Sequence, residues 1–350
     1  MRWMMSRPGP IGLDIGSDTV KAAQLIRNGE GFSAHALASF ARREPGAPLS
    51  AREAVGIADV LRRRGFVGSR VALSAPEESV VRGLLDLPLK STEESRERIV
   101  RMEIARVHRL PADSFTCCWS QLPAPTYNTG QQQALCWALT HASIDPVLSS
   151  LDSAGLKVAA IEPMSAALSR SCASHIPDWT RISAIADLGA SSVRVILLYQ
   201  GRVVHERRLT EWSGAKIADA LSEKWSAPRP VAQRAMQRYG VERGGTAGVL
   251  ASETAGTIAG VFDEMIEQIT LSFSFVSHQY PDAELGPLLL TGGVAGMPGL
   301  AGLLAQALQL EVVPVAPAAL LSDCPQGDAA SSSAAVAAVG LAMQEEGRHG

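Results

Sequence analysis

The stretch IGLDIGSDTVKAAQLI, residues 11–26, decides the fold. An apolar run ends at Asp14, a glycine and a serine follow, and a second run begins soon afterwards and carries Lys21. Two such runs joined by a short turn predict paired antiparallel strands, and Asn28-Gly29 predicts a second hairpin turn after them. The chain therefore opens with a predicted three-stranded meander, in contrast to the strand-loop-helix order of the common phosphate-binding loops.

The same pattern returns 173 residues later in the chain. The segment AIADLGASSVRVILLY, residues 184–199, aligns with residues 11–26 without a gap. Asp187 then matches Asp14, and Arg194 matches Lys21. Self-similarity at half the chain length is typical of a duplicated domain, so we predict two like lobes whose acid-glycine turns meet at one cleft.

Both turns are candidate phosphate-binding sites. A tight turn exposes backbone N–H groups, and glycine lets an anion approach them closely because it lacks a Cβ atom. Asp14 and Asp187 fit such a site if they hold a cation such as Mg²⁺, since bare carboxylates would repel phosphate. Alternatively, the first turn is an ordinary turn and Lys21 only projects from a strand edge. The predicted phosphate-binding residues are Gly16, Ser17, Asp18, Lys21, Gly189, Ala190 and Ser191.

A third candidate element is LLLTGGVAGMPGL, residues 288–300. An apolar strand runs into Gly292 and Gly293, and Pro298 predicts the start of a helix that continues to Gln309. A glycine pair at such a junction gives a flat surface for a nucleobase, or places a helix N-terminus near an anion. It is also compatible with a plain strand-to-helix connection.

Length and composition limit the function classes. At 350 residues the chain exceeds the ~250–300 residues of a single core, so two globular lobes are expected. A net charge of −3 gives no basic surface for nucleic acid. The five cysteines show no C-x-x-C spacing, which argues against a zinc site or a disulfide framework. No run of ~18 apolar residues occurs, so direct membrane insertion is not expected.

The segment between the two copies contains further predicted elements. Ser50 is placed to cap a helix over residues 50–64, with Glu53 at the spacing of a capping box. From about residue 80 to residue 155 the pattern changes to a compact mixture of strands and helices. We interpret this region as an α+β subdomain inserted into the first lobe.

These motifs resemble the actin, sugar-kinase and heat-shock chaperone ATPase superfamily, and within it the PilM family of pilus assembly proteins, relatives of the cell-division protein FtsA. The resemblance extends from GLDIGSDTVKA near the beginning of the chain through MEIARVHRLPADSF to AAVAAVGLAM. It implies an α/β, two-lobed, actin-like (ribonuclease H-like) ATPase fold. The implied lobes are residues 1–165, with the insert at about 80–155, and 166–330, followed by a C-terminal helix over 331–350 that returns to the first lobe.

The resemblance also implies roles for single residues. Glu162 and Asp187 match catalytic positions, and Glu162 would help to place the attacking water, although it could equally be a solvated loop acid. Gly214 in EWSGAKIADAL matches a glycine near the ribose, and the glycine pair matches the adenosine motif. Met236 stands where relatives often have a lysine along the nucleotide, and Gly214 lacks the second glycine that often marks the ribose contact.

The function implied by the resemblance is that of a cytoplasmic scaffold in a type IV pilus or related secretion machine. Such a protein binds ATP and Mg²⁺ between its lobes and is at most a slow ATPase. It holds the N-terminal tail of a PilN-like inner-membrane partner beside the insert, which recruits it to the membrane, and self-association is possible. Alternatives are an FtsA-like filament protein, a degenerate nucleotide-free scaffold, and a small-molecule kinase, for which no catalytic base is evident.

Overall fold

The computed structural model describes residues 7–29, 31–88, 92–124, 132–241 and 248–344. The sequence also predicts a polar hairpin loop over LPAPTYNTGQQQ, residues 122–133, and an acidic ending QEEGRHG, residues 344–350, and parts of both lie outside the described residues. The strands are β1 (Ile11–Ile15), β2 (Thr19–Asn28), β3 (Gly31–Ala41), β4 (Arg70–Ser74), β5 (Val80–Leu87), β6 (Phe115–Gln121), β7 (Gln132–Thr140), β8 (Lys157–Glu162), β9 (Ile182–Leu188), β10 (Val193–Tyr199), β11 (Arg202–Leu209), β12 (Leu285–Thr291) and β13 (Val312–Pro314). The helices are α1 (Ala51–Arg63), α2 (Glu93–His108), α3 (His141–Ser153), α4 (Met164–Cys172), α5 (Gly214–Trp225), α6 (Arg229–Tyr239), α7 (Gly248–Gln279), α8 (Leu300–Leu308), α9 (Pro317–Leu320), α10 (Asp328–Ser331) and α11 (Val336–Ala342).

Two five-stranded sheets have the same topology. The first has the order β3-β2-β1-β4-β8, and the second has the order β11-β10-β9-β12-β13. In each sheet the first three strands in sequence form an antiparallel meander, and two parallel strands extend the other side. The fold therefore confirms the predicted meander and the predicted duplication.

The apolar pattern of the strands explains where the cores lie. Leu13 and Val20, on paired strands of the first sheet, are fully buried under α1 and α3. The second sheet is more apolar still, since six of the seven residues of β10 are buried between helix layers. Strands that are covered on both faces are expected to read as continuous apolar runs.

The insert is a three-stranded antiparallel sheet with the order β5-β7-β6, covered on one face by α2. Its other face contributes Leu122, Leu135 and Trp137 to the core of the second lobe. The Tyr280 hydroxyl after α7 also donates a hydrogen bond of 3.1 Å to the Pro123 carbonyl. The insert is thus packed against the second lobe.

Two segments pack differently from the predicted domain division. The predicted bounds of the insert, about residues 80–155, include α3, but Leu151 is fully buried in the core under the first sheet, together with Leu61 of α1. The insert therefore ends near Thr140. The return to the first lobe begins before residue 331, because Leu321 already packs on Ala23 of β2. The boundaries near 165 and 330 otherwise remain predictions.

Helix α11 lies against β1, β2 and α4, and all seven of its residues are buried. This packing depends on two glycines. A Cβ atom on Gly12 would lie 2.1 Å from the Ala338 carbonyl oxygen, and one on Gly340 would lie 2.0 Å from the Ala167 carbonyl oxygen. The backbones therefore touch where the helix crosses the first lobe. Within the described ranges, none of the helices is long and apolar enough to cross a membrane.

Candidate functional site

The first acid-glycine turn joins β1 to β2. Asp14, the last residue but one of β1, lies opposite Lys21 in the strand register, and the Lys21 Nζ lies 3.2 Å from the Asp14 carboxylate. The turn is closed by a hydrogen bond of 3.0 Å from the Gly16 N–H to the Thr19 carbonyl. Both charged side chains are largely buried, with 14% of Lys21 and 11% of Asp14 exposed. The turn therefore carries an acid neutralised by its own cation.

The second turn, between β9 and β10, repeats this geometry. Asp187 lies opposite Arg194 in the register, and the Arg194 Nη1 is 3.6 Å from the Asp187 carboxylate. The Gly189 N–H donates a hydrogen bond of 3.0 Å to the Ser192 carbonyl. Each of these residues lies 173 positions after its counterpart in the first turn. The predicted correspondence of the two turns thus extends to individual hydrogen bonds and ion pairs.

Each turn leaves two backbone N–H groups free for a ligand. They belong to Ser17 and Asp18 in the first turn and to Ala190 and Ser191 in the second. None of the four donates a hydrogen bond to another residue in the described part of the chain. All four residues are partly or fully accessible to solvent. Free N–H groups on tight turns form anion-binding concavities, so the predicted phosphate-binding residues have the donors that they need.

The two turns act on one another electrostatically. Burial raises the pKa of Asp187 above its ordinary value, and the negative charge of Asp14 adds to this shift. The positive charges of Arg194 and Lys21 and a hydrogen bond of 3.1 Å from the Thr291 hydroxyl oppose it. Since Asp14 and Lys21 belong to the first sheet and Asp187 to the second, the two turns lie close enough for their charges to interact.

The first turn is held from behind by Arg42. Its backbone N–H donates to the Asp18 carbonyl at 2.9 Å, and its guanidinium donates to the Gly16 carbonyl at 3.3 Å. Glu53 anchors this guanidinium, and the hydrogen bond from Arg42 is the main reason why the pKa of Glu53 is lowered. Ser50 caps α1 as predicted, but the Glu53 side chain binds Arg42 instead of completing a capping box. The turn is therefore preorganised.

The second turn is held by the start of α5. The Gly214 N–H donates to the Gly189 carbonyl at 2.9 Å, and the Ala215 N–H donates to the Ala190 carbonyl at 3.0 Å. A Cβ atom on Gly214 would lie 2.8 Å from the Val294 side chain. Gly214, predicted to lie near a ribose, thus also has a packing role beside the second acid-glycine turn.

The glycine pair after β12 divides into two roles. Gly292 is buried with φ +89°, and a Cβ atom there would lie 2.5 Å from the Leu188 carbonyl oxygen. Gly293 is exposed and has open space around it, so it is the one available to a ligand. The following helix does not begin at Pro298 as predicted. A series of turns intervenes, and α8 starts at Leu300 with Gly299 as its N-cap.

Glu162 lies at the end of β8 with 7% of its surface exposed. Arg170 donates hydrogen bonds to both carboxylate oxygens of Glu162, and the bond to Oε1 is 3.0 Å long. Arg170 also donates to the Gly340 carbonyl of α11. The carboxylate thus ties α4 and α11 to the sheet. Its predicted role in placing water is not tested by this arrangement and remains a prediction.

The structure reveals a buried charge cluster that sequence reasoning missed. Arg194 contacts Glu77 and Glu206 in addition to Asp187, and Arg82 of the insert contacts the same two glutamates. The alignment of Arg194 with Lys21 in the two copies was the sequence signal that pointed to one residue of this cluster.

Met236, placed along the nucleotide by the resemblance, is buried in the core of the second lobe.

The donor chemistry of the cleft suits a magnesium ion bound through water. Asp14 and Asp187 provide hard oxygen ligands, and the Thr291 hydroxyl lies beside Asp187. Among the described residues there is no group of three or more His, Cys, Asp or Glu side chains that could hold a metal alone. A cation here would therefore need ligands from water or a phosphate.

Comparison with known proteins gives a family and a fold. The family model described as type IV pilus assembly protein PilM matches residues 12–346. No curated protein sequence matches the chain. Among solved structures, a PilM-PilN type IV pilus biogenesis complex is similar with a TM-score of 0.79 and 22% identity, covering 96% of this chain and 98% of that chain.

More distant structures have the same architecture. MreB 5 of Spiroplasma citri, solved with AMPPNP, is similar with a TM-score of 0.53 and 12% identity, covering 95% of this chain and 94% of that chain. The ethanolamine utilization protein EutJ from Carboxydothermus hydrogenoformans has a TM-score of 0.52 and 14% identity, covering 96% and 89%. These similarities confirm the predicted two-lobed actin-like fold.

Proposed function

Because the chain belongs to the family of type IV pilus assembly protein PilM, we propose that it is a cytoplasmic scaffold of a type IV pilus machine. In this proposal it binds ATP between its lobes and holds the N-terminal tail of a PilN-like inner-membrane protein. The nucleotide acts mainly by favouring one arrangement of the lobes, which requires tighter binding to that arrangement.

The two acid-glycine turns, whose charges interact, are the observation that supports nucleotide binding. Four free N–H groups, two from each lobe, accompany the cations Lys21 and Arg194. A polyphosphate between the turns would receive hydrogen bonds from both sheets. Hydrogen bonds to charged groups contribute more than those between neutral groups. We propose Gly16, Ser17, Asp18, Gly189, Ala190 and Ser191 as phosphate ligands, with Gly214 and Gly293 near the nucleoside.

A magnesium ion would share the cleft with the phosphates. Asp14 and Asp187 would hold it, and it would supply charge neutralisation between their carboxylates and the ligand. We expect slow hydrolysis at most, because Arg170 occupies both carboxylate oxygens of Glu162. ATP hydrolysis as fast as phosphoryl transfer by metabolic kinases would contradict this expectation.

Calorimetric titration with Mg-ATP tests the nucleotide site. We expect the wild type to bind, and Asp14→Ala to weaken binding by about tenfold or more, since a metal ligand and the partner of Lys21 are lost. The matched control is Asp59→Ala on α1, whose carboxylate is 45% exposed and pairs only with Arg62 in the described structure. Equal affinities in all three proteins, or no binding by the wild type, would favour the nucleotide-free scaffold.

The proposed tail-binding surface lies on the insert. A similar protein was solved as a PilM-PilN complex, and the insert exposes the apolar side chain of Leu84 on the face of its sheet that α2 does not cover. An extended or short helical tail that docks here would recruit the protein to the membrane through its partner.

Fluorescence anisotropy with a labelled N-terminal peptide of a PilN-like protein tests this surface. We expect Leu84→Asp, on β5, to weaken peptide binding by about tenfold, because the bound peptide would bury a charge where it otherwise makes an apolar contact. Val231→Asp, on α6 of the second lobe, is the control, since Val231 is 45% exposed and Leu84 is 48% exposed. If the two variants bind the peptide equally, the tail docks elsewhere.

A further inference from the structure

Arg194 occupies a shared position in the buried charge cluster. Its side chain is 7% exposed and projects from β10 of the second lobe. It reaches Asp187 at 3.6 Å, Glu206 of β11 at 3.3 Å, and Glu77, which precedes β5, through a direct hydrogen bond. One guanidinium thus joins the phosphate turn of the second lobe to the base of the insert.

The same two glutamates hold the insert. Arg82 of β5 donates one hydrogen bond to Glu77 and another, 3.1 Å long, to Glu206. Glu206 also accepts a hydrogen bond of 2.9 Å from the Trp137 indole of β7. The contacts that fix the insert against the second lobe therefore pass through the acids that Arg194 also needs.

The number of charges makes Arg194 a point of competition. Two guanidiniums, from Arg82 and Arg194, serve three carboxylates, from Glu77, Glu206 and Asp187. Electrostatic interactions in such a buried place are weakly screened, so a change at one carboxylate alters the others. An anionic ligand at the turns would add a further competitor for the same cation.

We propose that Arg194 couples the occupancy of the phosphate site to the position of the insert. This inference rests on the proposed nucleotide binding and adds a regulation of that site. A bound polyphosphate attracts the guanidinium toward the cleft and weakens its bond to Glu77, which loosens the insert. Coupling of binding free energies is reciprocal, so removal of the Glu77 charge releases Arg194 and tightens nucleotide binding.

Adjacent acids provide a matched pair of variants. Glu77→Gln removes a carboxylate that contacts Arg194, with 16% of the side chain exposed. Glu78→Gln makes the same change of charge at the next residue, which is 84% exposed and contacts Arg208 instead. We expect Glu77→Gln to lower the Kd for Mg-ATP about fivefold or more relative to Glu78→Gln. Arg194→Lys keeps the positive charge but loses the planar guanidinium that can bind several carboxylates at once. In this background the difference in Kd between Glu77→Gln and Glu78→Gln should disappear.

The second measurement is amide hydrogen exchange in β5 and β7 with saturating Mg-ATP. We expect faster exchange on ATP addition in the wild type and no effect in Arg194→Lys at saturation. Equal Kd values for Glu77→Gln and Glu78→Gln, or protection of β5 and β7 by ATP, would overturn the coupling while leaving nucleotide binding intact. If none of the proteins binds ATP, both the coupling and the proposed nucleotide site fail; binding by Glu77→Gln alone would support the coupling.

Discussion

Replacing Gly340 with alanine is expected to destabilise the protein by about 3 kcal/mol or more, although only one methyl group is added. The new Cβ atom would lie 2.0 Å from the Ala167 carbonyl oxygen and 2.6 Å from its carbon. Backbone atoms of α4 cannot rotate away as a side chain would, so α11 must move off the first lobe. Denaturant unfolding followed by circular dichroism measures the loss.

The same substitution at Gly302 is the control. Gly302 lies within α8, and a Cβ atom there meets nothing within 4 Å. Because alanine favours a helix over glycine by about 0.8–1 kcal/mol, Gly302→Ala should be neutral or slightly stabilising. Similar stabilities for the two variants would show that α11 can leave its place on β1 and α4 at little cost.

The sequence predicts the geometry of the two acid-glycine turns well because the chain contains this motif twice. One Asp-x-Gly turn is compatible with many structures, but a gap-free second copy predicts equivalent contacts. The Gly16–Thr19 and Gly189–Ser192 hydrogen bonds are both 3.0 Å long. Strand pairing also places a residue seven positions after each acid directly opposite it, which explains why Lys21 and Arg194 become the partners of Asp14 and Asp187.

The charge cluster could not be predicted in the same way. Glu77 and Glu206 lie far apart in sequence and meet only because the insert folds against the second lobe. Local pattern rules describe neighbours on one strand or helix, and such rules carry no information on how a subdomain docks. For the same reason, the sequence pattern places α3 in the insert, although Leu151 is fully buried in the core of the first lobe.

Glu206 is the residue of this cluster whose removal should cost most. Its side chain is 1% exposed and contacts Arg82 and Arg194, while the Trp137 indole and the Ser165 hydroxyl donate hydrogen bonds of 2.9 Å and 2.7 Å to it. Removing one partner from a buried ion pair leaves an uncompensated charge and costs about 3–5 kcal/mol. We expect Glu206→Ala to lose this amount in the free energy of unfolding.

An exposed ion pair provides the control for this loss. Glu284→Ala removes a carboxylate that is 83% exposed and lies 3.8 Å from Arg181. Screening by solvent makes such pairs weak, so the free energy of unfolding should change by no more than about 0.5 kcal/mol. Equal effects of Glu206→Ala and Glu284→Ala would mean that water reaches the cluster and that its charges do not depend on one another.

The pH dependence of stability separates the charge of Glu206 from its packing. Burial alone would raise the pKa of Glu206, but Arg82 and Arg194 outweigh burial and hold the pKa below its ordinary value. A lowered folded-state pKa means that the stabilisation is present above the unfolded pKa, ~4.3, and is lost as the pH falls through the folded value. Glu206→Gln keeps the shape of the side chain but lacks the stabilisation that depends on its negative charge. The difference in unfolding free energy between wild type and Glu206→Gln should therefore be largest near neutral pH and shrink on acidification. A difference that does not depend on pH would assign the loss to packing alone.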